Sequence, residues 1–239
     1  MAPEAKDALA KRYQALLQRL RAAERAFGKA PGSVQLIAVS KTYPAEDVRA
    51  LAELGQQHFG ENQLQDAIQK IPHLHDLDLT WHFIGPVQSN KCRDVALHFD
   101  WVHSVDRLKI ANRLSQLRPA DTPPINLLIQ VNLQNEPTKA GIAPGAVSEL
   151  AKTISGLRNT KLRGLMAIPS READLDRQRQ VFLMLRELLD ETNRALDLEM
   201  DCLSMGMTDD LEAAVAEGAT HVRVGTAIFG PRQKPASNP

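Results

Sequence analysis

The sequence predicts an α/β fold in which a single (β/α)8 TIM barrel follows an additional N-terminal helix. Short apolar runs alternate with longer, charge-rich segments of helical periodicity, which is the pattern of a parallel sheet built from βαβ units. There are eight such runs, and a length of 239 residues is close to the size of about 250 that is typical of this barrel. No linker rich in Pro, Gly or Ser interrupts the alternation, so residues 1–239 are predicted to form one domain.

The leading helix is assigned to residues 1–30, because apolar side chains recur at helical spacing from Ala5 to Phe27 and Gly28 follows as a typical helix stop. The strands are predicted at Leu36–Ser40, His58–Gly60, Trp81–Ile84, Trp101–Ser104, Asn126–Val131, Leu162–Ala167, Cys202–Met205 and His221–Val224. The helices between them are predicted at Ala45–Leu54, Glu61–Lys70, Ser89–His98, Asp106–Leu117, Ala146–Gly156, Leu175–Leu196 and Asp209–Glu217. Residues 231–239 are expected to be a flexible tail.

An open, doubly wound parallel sheet would show the same alternation of strands and helices, and it is the alternative fold. The second apolar run, His58–Gly60, is short and weakly apolar. The count of runs alone therefore favours the barrel only modestly.

The composition excludes several classes of partner. Basic and acidic residues balance at 29 each, so no excess of positive charge indicates a nucleic-acid or membrane-binding protein. The two cysteines, Cys92 and Cys202, form neither a CxxC pair nor a disulfide framework, which is typical of a reducing compartment. The N-terminal segment has no unbroken apolar stretch of the kind that a signal peptide needs. We expect a cytoplasmic protein that binds small molecules.

Polar residues and glycines follow several of the predicted strands, at the end of the barrel where function is expected. Lys41 comes directly after the apolar run Leu36–Val39 and Ser40. Partial burial lowers the pKa of an amine, and the neutral amine is the form that attacks an aldehyde. Lys41 is therefore a candidate for forming a Schiff base. The alternative, a surface lysine at a strand end, is the commoner situation.

The loops after the last two strands are rich in glycines and hydroxyl groups. Ser204 lies at the end of the seventh predicted strand and Gly206 follows that strand, while Gly225 and Thr226 follow the eighth. In TIM barrels these two loops frequently bind phosphate together with the N-terminus of a short extra helix. Tight-turn glycines and helix-capping hydroxyls are the alternative for either loop considered alone. The two loops together favour a phosphate site.

Arg223 alternates with Val222 and Val224 along the eighth strand. If the valines face the helices, the guanidinium points into the barrel, where it needs a partner. A pyridine nitrogen next to the phosphate site would be such a partner. An ion pair with a distant residue such as Glu61 is the alternative.

Eight segments in order resemble the pyridoxal phosphate homeostasis protein family, which is related to the N-terminal barrel of alanine racemase. They are Ala-Val-Ser-Lys-Thr (38–42), Phe-Gly-Glu-Asn (59–62), Trp-His-Phe-Ile-Gly (81–85), Gln-Ser-Asn-Lys (88–91), Lys-Ala-Gly-Ile (139–142), Arg-Gly-Leu-Met (163–166), Leu-Ser-Met-Gly-Met (203–207) and Arg-Val-Gly-Thr-Ala-Ile-Phe-Gly (223–230). Any one of them is a weak signal, but the ordered set covers nearly the whole chain and is highly specific.

The resemblance implies a fold-type III barrel that holds pyridoxal 5′-phosphate (PLP) as a Schiff base on Lys41. It implies that Arg223 faces the pyridine nitrogen and that Asn62 lies beside the cofactor. The phosphate would be held by two loops, which contribute Ser204, Met205, Gly206, Gly225 and Thr226. No catalytic or metal-ligating residue is assigned.

The chain departs from the family pattern at two places. Many relatives have a second lysine two positions after the Schiff-base lysine, where this chain has Tyr43, and they often carry a pair of lysines near the C-terminus, where only Lys234 follows Gly230. Lys91, Lys139 and His82 match family motifs, but the sequence does not define their roles. His82 is as compatible with a hydrogen-bonded core position as with a catalytic base.

The resemblance implies a carrier that stores PLP and delivers it to apo-enzymes through transient contacts, without robust catalysis. The alternative is a PLP-dependent amino-acid racemase, which needs acid/base groups on both faces of the substrate α-carbon. In alanine racemase a separate C-terminal β domain brings one of them, and no such domain is expected in a chain that ends at Pro239. Tyr43 and His82 are the possible substitutes. A barrel enzyme that binds phosphate without PLP would require Lys41 to be incidental. Without the partnering domain, a monomer is expected.

Overall fold

The computed structural model describes residues 2–231 and shows a closed barrel of eight parallel strands in the order β1 to β8. The strands are β1 Gln35–Val39, β2 His58–Glu61, β3 Thr80–Phe83, β4 Trp101–Val105, β5 Ile125–Val131, β6 Thr160–Ala167, β7 Cys202–Ser204 and β8 His221–Val224. The barrel closes where β1 pairs with β8, with Leu36 opposite Val222 and Ala38 opposite Val224. The predicted barrel is confirmed, and the open doubly wound sheet is wrong.

Nine α-helices surround the barrel within the described part of the chain. They are α1 Pro3–Ala26, α2 Ala45–Ala52, α3 Leu64–Lys70, α4 Cys92–His98, α5 Leu108–Leu117, α6 Val147–Ser155, α7 Leu175–Leu196, α8 Leu211–Ala216 and α9 Thr226–Phe229. Short 3-10 helices at Ile71–Leu74, Ser89–Lys91 and Pro144–Ala146 complete the connections. None of the helices in residues 2–231 has the length and apolar composition needed to cross a bilayer.

The alternation of side chains along each strand creates two separate apolar regions. Val222 and Val224 belong to the large core between the strands and the helices, as do the outward-facing residues of the other strands. Inside the barrel, a small cluster is formed by Trp101, Leu128, Met166 and Cys202. The remaining interior positions are largely polar, and they connect to the site described below.

An apolar stripe and several hydrogen bonds hold the leading helix α1 against the barrel, and two of these bonds connect it to α9. Leu9, Leu16 and Leu20 are buried at helical spacing. The Arg12 guanidinium donates to the carbonyl oxygens of Ile228 at 2.7 Å and Phe229 at 3.2 Å. These carbonyls are at the C-terminal end of α9, so α1 fixes the short helix that follows β8.

Several element boundaries differ from the sequence-based expectation. The third helix begins at Leu64 rather than Glu61, because Glu61 still pairs with Phe83 as part of β2. The helix predicted from Asp209 begins at Leu211, and the fourth helix is preceded by a 3-10 turn at Ser89–Lys91. Helix α9 had no element prediction of its own, since four residues are too few to show a helical period. Most of the expected tail, residues 232–239 with Lys234, lies outside the described residues.

Candidate functional site

A cavity of about 900 Å³ opens at the C-terminal ends of the strands. The loops after β1, β2, β6, β7 and β8 contribute most of its wall. Five of the predicted site residues line it, and these are Lys41, Asn62, Arg223, Gly225 and Thr226. This is the face of a TIM barrel where active and binding sites are found.

Lys41 follows β1 in a tight turn at the edge of the cavity. It is half-buried, and the next residue, Thr42, has a φ of 69°, in the left-handed region that residues with a Cβ rarely adopt. The carbonyl oxygen of Ser40 accepts the backbone N–H of Tyr43 at 3.1 Å, which closes this turn. Strained positions of this kind are maintained only where the surroundings determine them, and they are common at functional sites.

A buried ion pair supports this turn from the helix side of the barrel. Lys70 Nζ donates to Glu61 Oε1 at 2.5 Å and to the Ser40 carbonyl oxygen at 2.8 Å, and the Ser40 hydroxyl donates to Glu61 Oε1 at 2.6 Å. Burial raises the pKa of Glu61, although Lys70 and Ser40 act in the opposite direction. Glu61 therefore pairs with Lys70, and the alternative that it pairs with Arg223 is wrong.

Asn62 continues β2 into the cavity wall. Its side-chain Oδ1 is buried and has no hydrogen-bond partner within residues 2–231. The backbone of Asn62 lies so close to Gly85 that a Cβ on that glycine would overlap it. A buried acceptor without a donor is rare in folded proteins, and it commonly indicates a site that a ligand or water completes.

Arg223 lies at the inner end of the cavity and is 5% exposed. Its NH1 donates to Ser204 Oγ at 2.7 Å and its NH2 donates to the Ala167 carbonyl oxygen at 3.0 Å. Burial lowers the pKa of Arg223 to about 10, so the guanidinium stays charged near neutral pH. Two of its five N–H donors are used by these bonds, which leaves donor capacity for a ligand. The inward orientation predicted from the alternation of β8 is confirmed.

The loop after β7 reaches the cavity with its second half. Met207, Thr208, Asp209 and Asp210 line the cavity, whereas Ser204, Met205 and Gly206 lie beneath it. The Ser204 hydroxyl is buried between Arg223 NH1 and His103 Nδ1, at 2.7 and 2.8 Å. The role of Ser204, Met205 and Gly206 at a phosphate stays a prediction.

The loop after β8 forms a short helix directly at the cavity. Gly225 is the N-cap of α9, and a Cβ there would lie 3.0 Å from the Val39 carbonyl oxygen, so only glycine fits without displacement. The first N–H groups of a helix have no partner inside the helix. Those of α9 lie at the wall formed by Gly225, Thr226 and Ala227. This is the arrangement that the sequence predicted for an anion.

Four residues with undefined roles now have defined surroundings. The Tyr43 hydroxyl donates to the Gly230 carbonyl oxygen at 2.7 Å, and its ring stacks on Phe229 with 4.6 Å between centroids. Lys139 Nζ donates to Ser170 Oγ at 2.8 Å. Lys91 ends a 3-10 helix away from the cavity lining. His82 is fully buried inside the barrel, where its ring nitrogens are hydrogen-bonded to two other histidines.

The segment between β6 and α7 is a part of the site that the sequence did not predict. Residues 168–173 line the cavity, and the Asp174 side chain caps α7 by accepting the backbone N–H of Arg177 at 2.9 Å. Lys139 and Gln134 hold this segment through Ser170. The one available signal was Pro169 after an apolar strand, which marks a loop but no chemistry.

The barrel is of the alanine racemase N-terminal type, because the matching family model covers most of the chain. The family model described as "Alanine racemase, N-terminal domain" matches residues 12–233. The crystal structure of alanine racemase from Corynebacterium glutamicum shares the fold at 17% identity and a TM-score of 0.67, over 98% of this chain and 63% of that chain.

Nearer relatives define the family within this class. The chain is 55% identical to the pyridoxal phosphate homeostasis protein of Pseudomonas aeruginosa over 90% of this chain and 91% of that protein. The same-named protein of Escherichia coli is 46% identical over 90% of this chain and 92% of its own length. PipY of Synechococcus elongatus, solved with PLP bound, is 40% identical with a TM-score of 0.81, over 93% of this chain and 100% of that chain. The chain belongs to the pyridoxal phosphate homeostasis protein family.

Proposed function

We propose that this protein binds PLP in the cavity, covalently through Lys41 Nζ, and serves as an intracellular PLP carrier. The observation that carries the proposal is that one cavity brings together an amine, a buried guanidinium and a helix N-terminus. An aldehyde, a ring nitrogen and a phosphate are the three groups of PLP that these features suit. The PLP-bound structure of a relative at 40% identity supports the same cofactor.

The residues present fit this cofactor group by group. Asn62 Oδ1 is a buried acceptor that has no donor among residues 2–231. A ligand beside Lys41 that donates a hydrogen bond to this oxygen would satisfy it. On the phosphate side we propose the N–H groups at Gly225 and Thr226, together with the loop Ser204-Met205-Gly206. PLP when bound supplies an aldehyde for the lysine and an electron-withdrawing ring.

Arg223 favours a carrier over most PLP catalysis. A guanidinium only donates hydrogen bonds, so its partner at the ring nitrogen must be unprotonated. An unprotonated ring is a weaker electron sink, and carbanion formation is then less favourable. This feature does not by itself exclude racemisation.

The surroundings of the two possible second bases disfavour a racemase. The Tyr43 hydroxyl donates to the Gly230 carbonyl oxygen, and both ring nitrogens of His82 are bonded to histidines inside the barrel. Neither residue lines the cavity.

The naming of the relatives as homeostasis proteins agrees with storage and delivery to apo-enzymes. We further propose that the carrier is cytoplasmic, since both cysteines are buried and form no disulfide, and that it acts as a monomer.

The covalent assignment is tested by spectroscopy and mass spectrometry on the full chain. The protein mixed with PLP is expected to absorb near the violet edge of the visible spectrum, and borohydride should fix the cofactor on Lys41. Lys41→Ala should abolish both signals, whereas Lys91→Ala, outside the cavity lining, should retain them. An adduct on any other lysine would refute the assignment.

The carrier function is tested with two assays on the loaded protein. We expect reactivation of an aminotransferase from which PLP has been removed, and no sustained exchange of amino-acid α-hydrogens in deuterated water. Sustained exchange that is lost in Lys41→Ala would establish the racemase instead.

A further inference from the structure

A continuous chain of hydrogen bonds runs through the inside of the barrel and ends at Arg223. Arg223 NH1 donates to Ser204 Oγ at 2.7 Å, and Ser204 Oγ lies 2.8 Å from His103 Nδ1. His103 Nε2 lies 2.9 Å from His82 Nδ1, and His82 Nε2 lies 2.9 Å from His58 Nδ1. The chain thus connects residues of five strands, from Arg223 at the cavity to His58 at the start of β2, at the opposite face of the barrel.

The chemistry of the arginine gives this chain a direction. A guanidinium can only donate, so Ser204 accepts from Arg223, and its single proton is then available for His103 Nδ1. A neutral His103 that accepts at Nδ1 carries its proton on Nε2 and donates to His82. The same reasoning makes His82 a donor to His58. All three imidazoles are then Nε2–H tautomers, with their protons pointing away from the arginine.

Burial favours the neutral imidazoles that this direction requires. His82 and His103 are fully buried, and burial lowers the pKa of each well below its usual value. The titratable groups around them inside the barrel are His221 from β8 and Cys202 from β7, besides Arg223 itself. Burial also lowers the pKa of His221 to about 4 and raises that of Cys202 to about 12, so these neighbours are neutral as well.

The direction matters because Arg223 is a buried charge without a carboxylate partner. Both of its hydrogen bonds go to neutral oxygens, and it forms no ion pair within residues 2–231. Each imidazole presents its lone pair toward Arg223 and its N–H away from it. The dipoles therefore add up with their negative ends toward the guanidinium, and hydrogen bonds in such a series strengthen one another.

We propose that the chain Ser204–His103–His82–His58 is a polarised series that stabilises and orients the Arg223 guanidinium beneath the cavity. Ser204 and His103 are then positioning residues for Arg223. The effect on PLP affinity rests on the proposed function, because it requires Arg223 to face the cofactor ring. The direction of the chain in the protein without PLP does not depend on the proposed function.

The first test reads the tautomers by ¹⁵N NMR of the full chain without added PLP, at neutral pH. We expect His58, His82 and His103 to show protonated Nε2 and unprotonated, hydrogen-bonded Nδ1. Single His→Gln variants assign the signals. An Nδ1–H tautomer or a doubly protonated ring at His82 or His103 would overturn the proposal.

The second test compares three variants by their dissociation constants for PLP. His103→Leu removes the acceptor of the Ser204 proton, and we expect PLP to bind about tenfold more weakly, as for the loss of one buried hydrogen bond. His103→Asn keeps an acceptor atom near the Nδ1 position and should restore binding to within about threefold of wild type. His221→Leu is the matched control, because it removes a half-buried imidazole that lies beside the chain without a hydrogen bond to it. It should leave PLP affinity unchanged.

The outcomes separate the two proposals. If His103→Leu and His221→Leu weaken PLP binding equally, or if His103→Asn does not rescue it, positioning through the chain is refuted. If wild type does not bind PLP at all, the proposed function fails, while the tautomer measurement still decides the direction of the chain. If His103→Leu does not fold, the NMR result and His103→Asn carry the test.

Discussion

The buried pair of Lys70 and Glu61 gives the sharpest stability prediction, with Lys70→Met as the perturbation. Methionine retains most of the apolar stem, so no large cavity is created, but it removes the two donations from Nζ to Glu61 Oε1 and to the Ser40 carbonyl oxygen. The side chains of Lys70 and Glu61 are 6% and 0% exposed. Leaving a buried charge without its partner costs about 3–5 kcal/mol, so we expect the free energy of unfolding to fall by that amount at neutral pH.

The pH dependence of this variant has a defined sign. Burial already raises the pKa of Glu61, and the loss of Lys70 removes the main influence that lowers it. A carboxyl whose pKa is raised by folding contributes stability below its unfolded pKa and loses it as the pH rises through the folded value. The deficit of Lys70→Met relative to wild type should therefore shrink as the pH falls from 7 toward about 5.

Urea unfolding at several pH values measures this deficit. Lys6→Met is the matched control, because Lys6 pairs with Glu53 on the surface, where the side chains are 51% and 55% exposed. It should cost at most about 1 kcal/mol. The double variant Lys70→Met with Glu61→Met should recover most of the loss, since no charge is then left buried. A deficit below about 1 kcal/mol for Lys70→Met, or one that grows on acidification, would refute the reasoning.

Three further predictions concern the surroundings of the site and of the leading helix. Gly206→Ala should lower the free energy of unfolding by about 1–3 kcal/mol, because φ is +92° and the new Cβ would lie 2.5 Å from a neighbouring methyl group. Gly145→Ala is the control, since a Cβ there has open space and should leave the free energy of unfolding unchanged in the same denaturation assay. Tyr43→Phe should cost about 0.5–1.5 kcal/mol in thermal or urea unfolding through the lost bond to Gly230, and an unchanged midpoint would contradict that bond. Glu24→Gln should cost about 1–3 kcal/mol at pH 7, because the buried carboxylate accepts two backbone N–H groups. Burial raises the pKa of Glu24, but these bonds and an arginine lower the pKa overall. The stability that the Glu24 carboxylate contributes should therefore be lost as the pH falls below about 4. A stability difference between Glu24→Gln and wild type that persists in acid would contradict this account.

The alternation of strands and helices made the barrel predictable, because a parallel sheet covered by helices imposes that pattern along the whole chain. The direction of Arg223 followed from its two flanking valines for the same local reason. The partners of Arg223 did not follow, since Ser204 and Ala167 lie on other strands, 19 and 56 residues away. Local periodicity determines which face of a strand a residue occupies, but only the register of the closed barrel determines what it meets there.

The hydrogen bonds of the histidine chain were even less predictable from the sequence than the partners of Arg223. His58, His82 and His103 each occupy an inward position on consecutive strands, but nothing within one strand indicates that their ring nitrogens meet. Only His82 stood out in the sequence, because it lies in a family motif. A weak signal was present: inward positions of a small barrel are usually apolar, and three imidazoles at successive strands are an unusual departure.

Ser204 belongs both to the phosphate site predicted from the sequence and to the histidine chain proposed from the structure. The sequence assigned its hydroxyl to a phosphate, whereas the structure places that hydroxyl between Arg223 and His103. A hydroxyl has one proton, so it cannot donate to a phosphate and to His103 Nδ1 at the same time. If PLP binding draws this proton toward the phosphate, His103 must become the donor, and the tautomers of His103, His82 and His58 must all reverse. If the tautomers stay Nε2–H when PLP is added, Ser204 acts on the cofactor through Arg223, and the phosphate is left to the backbone N–H groups of the two loops.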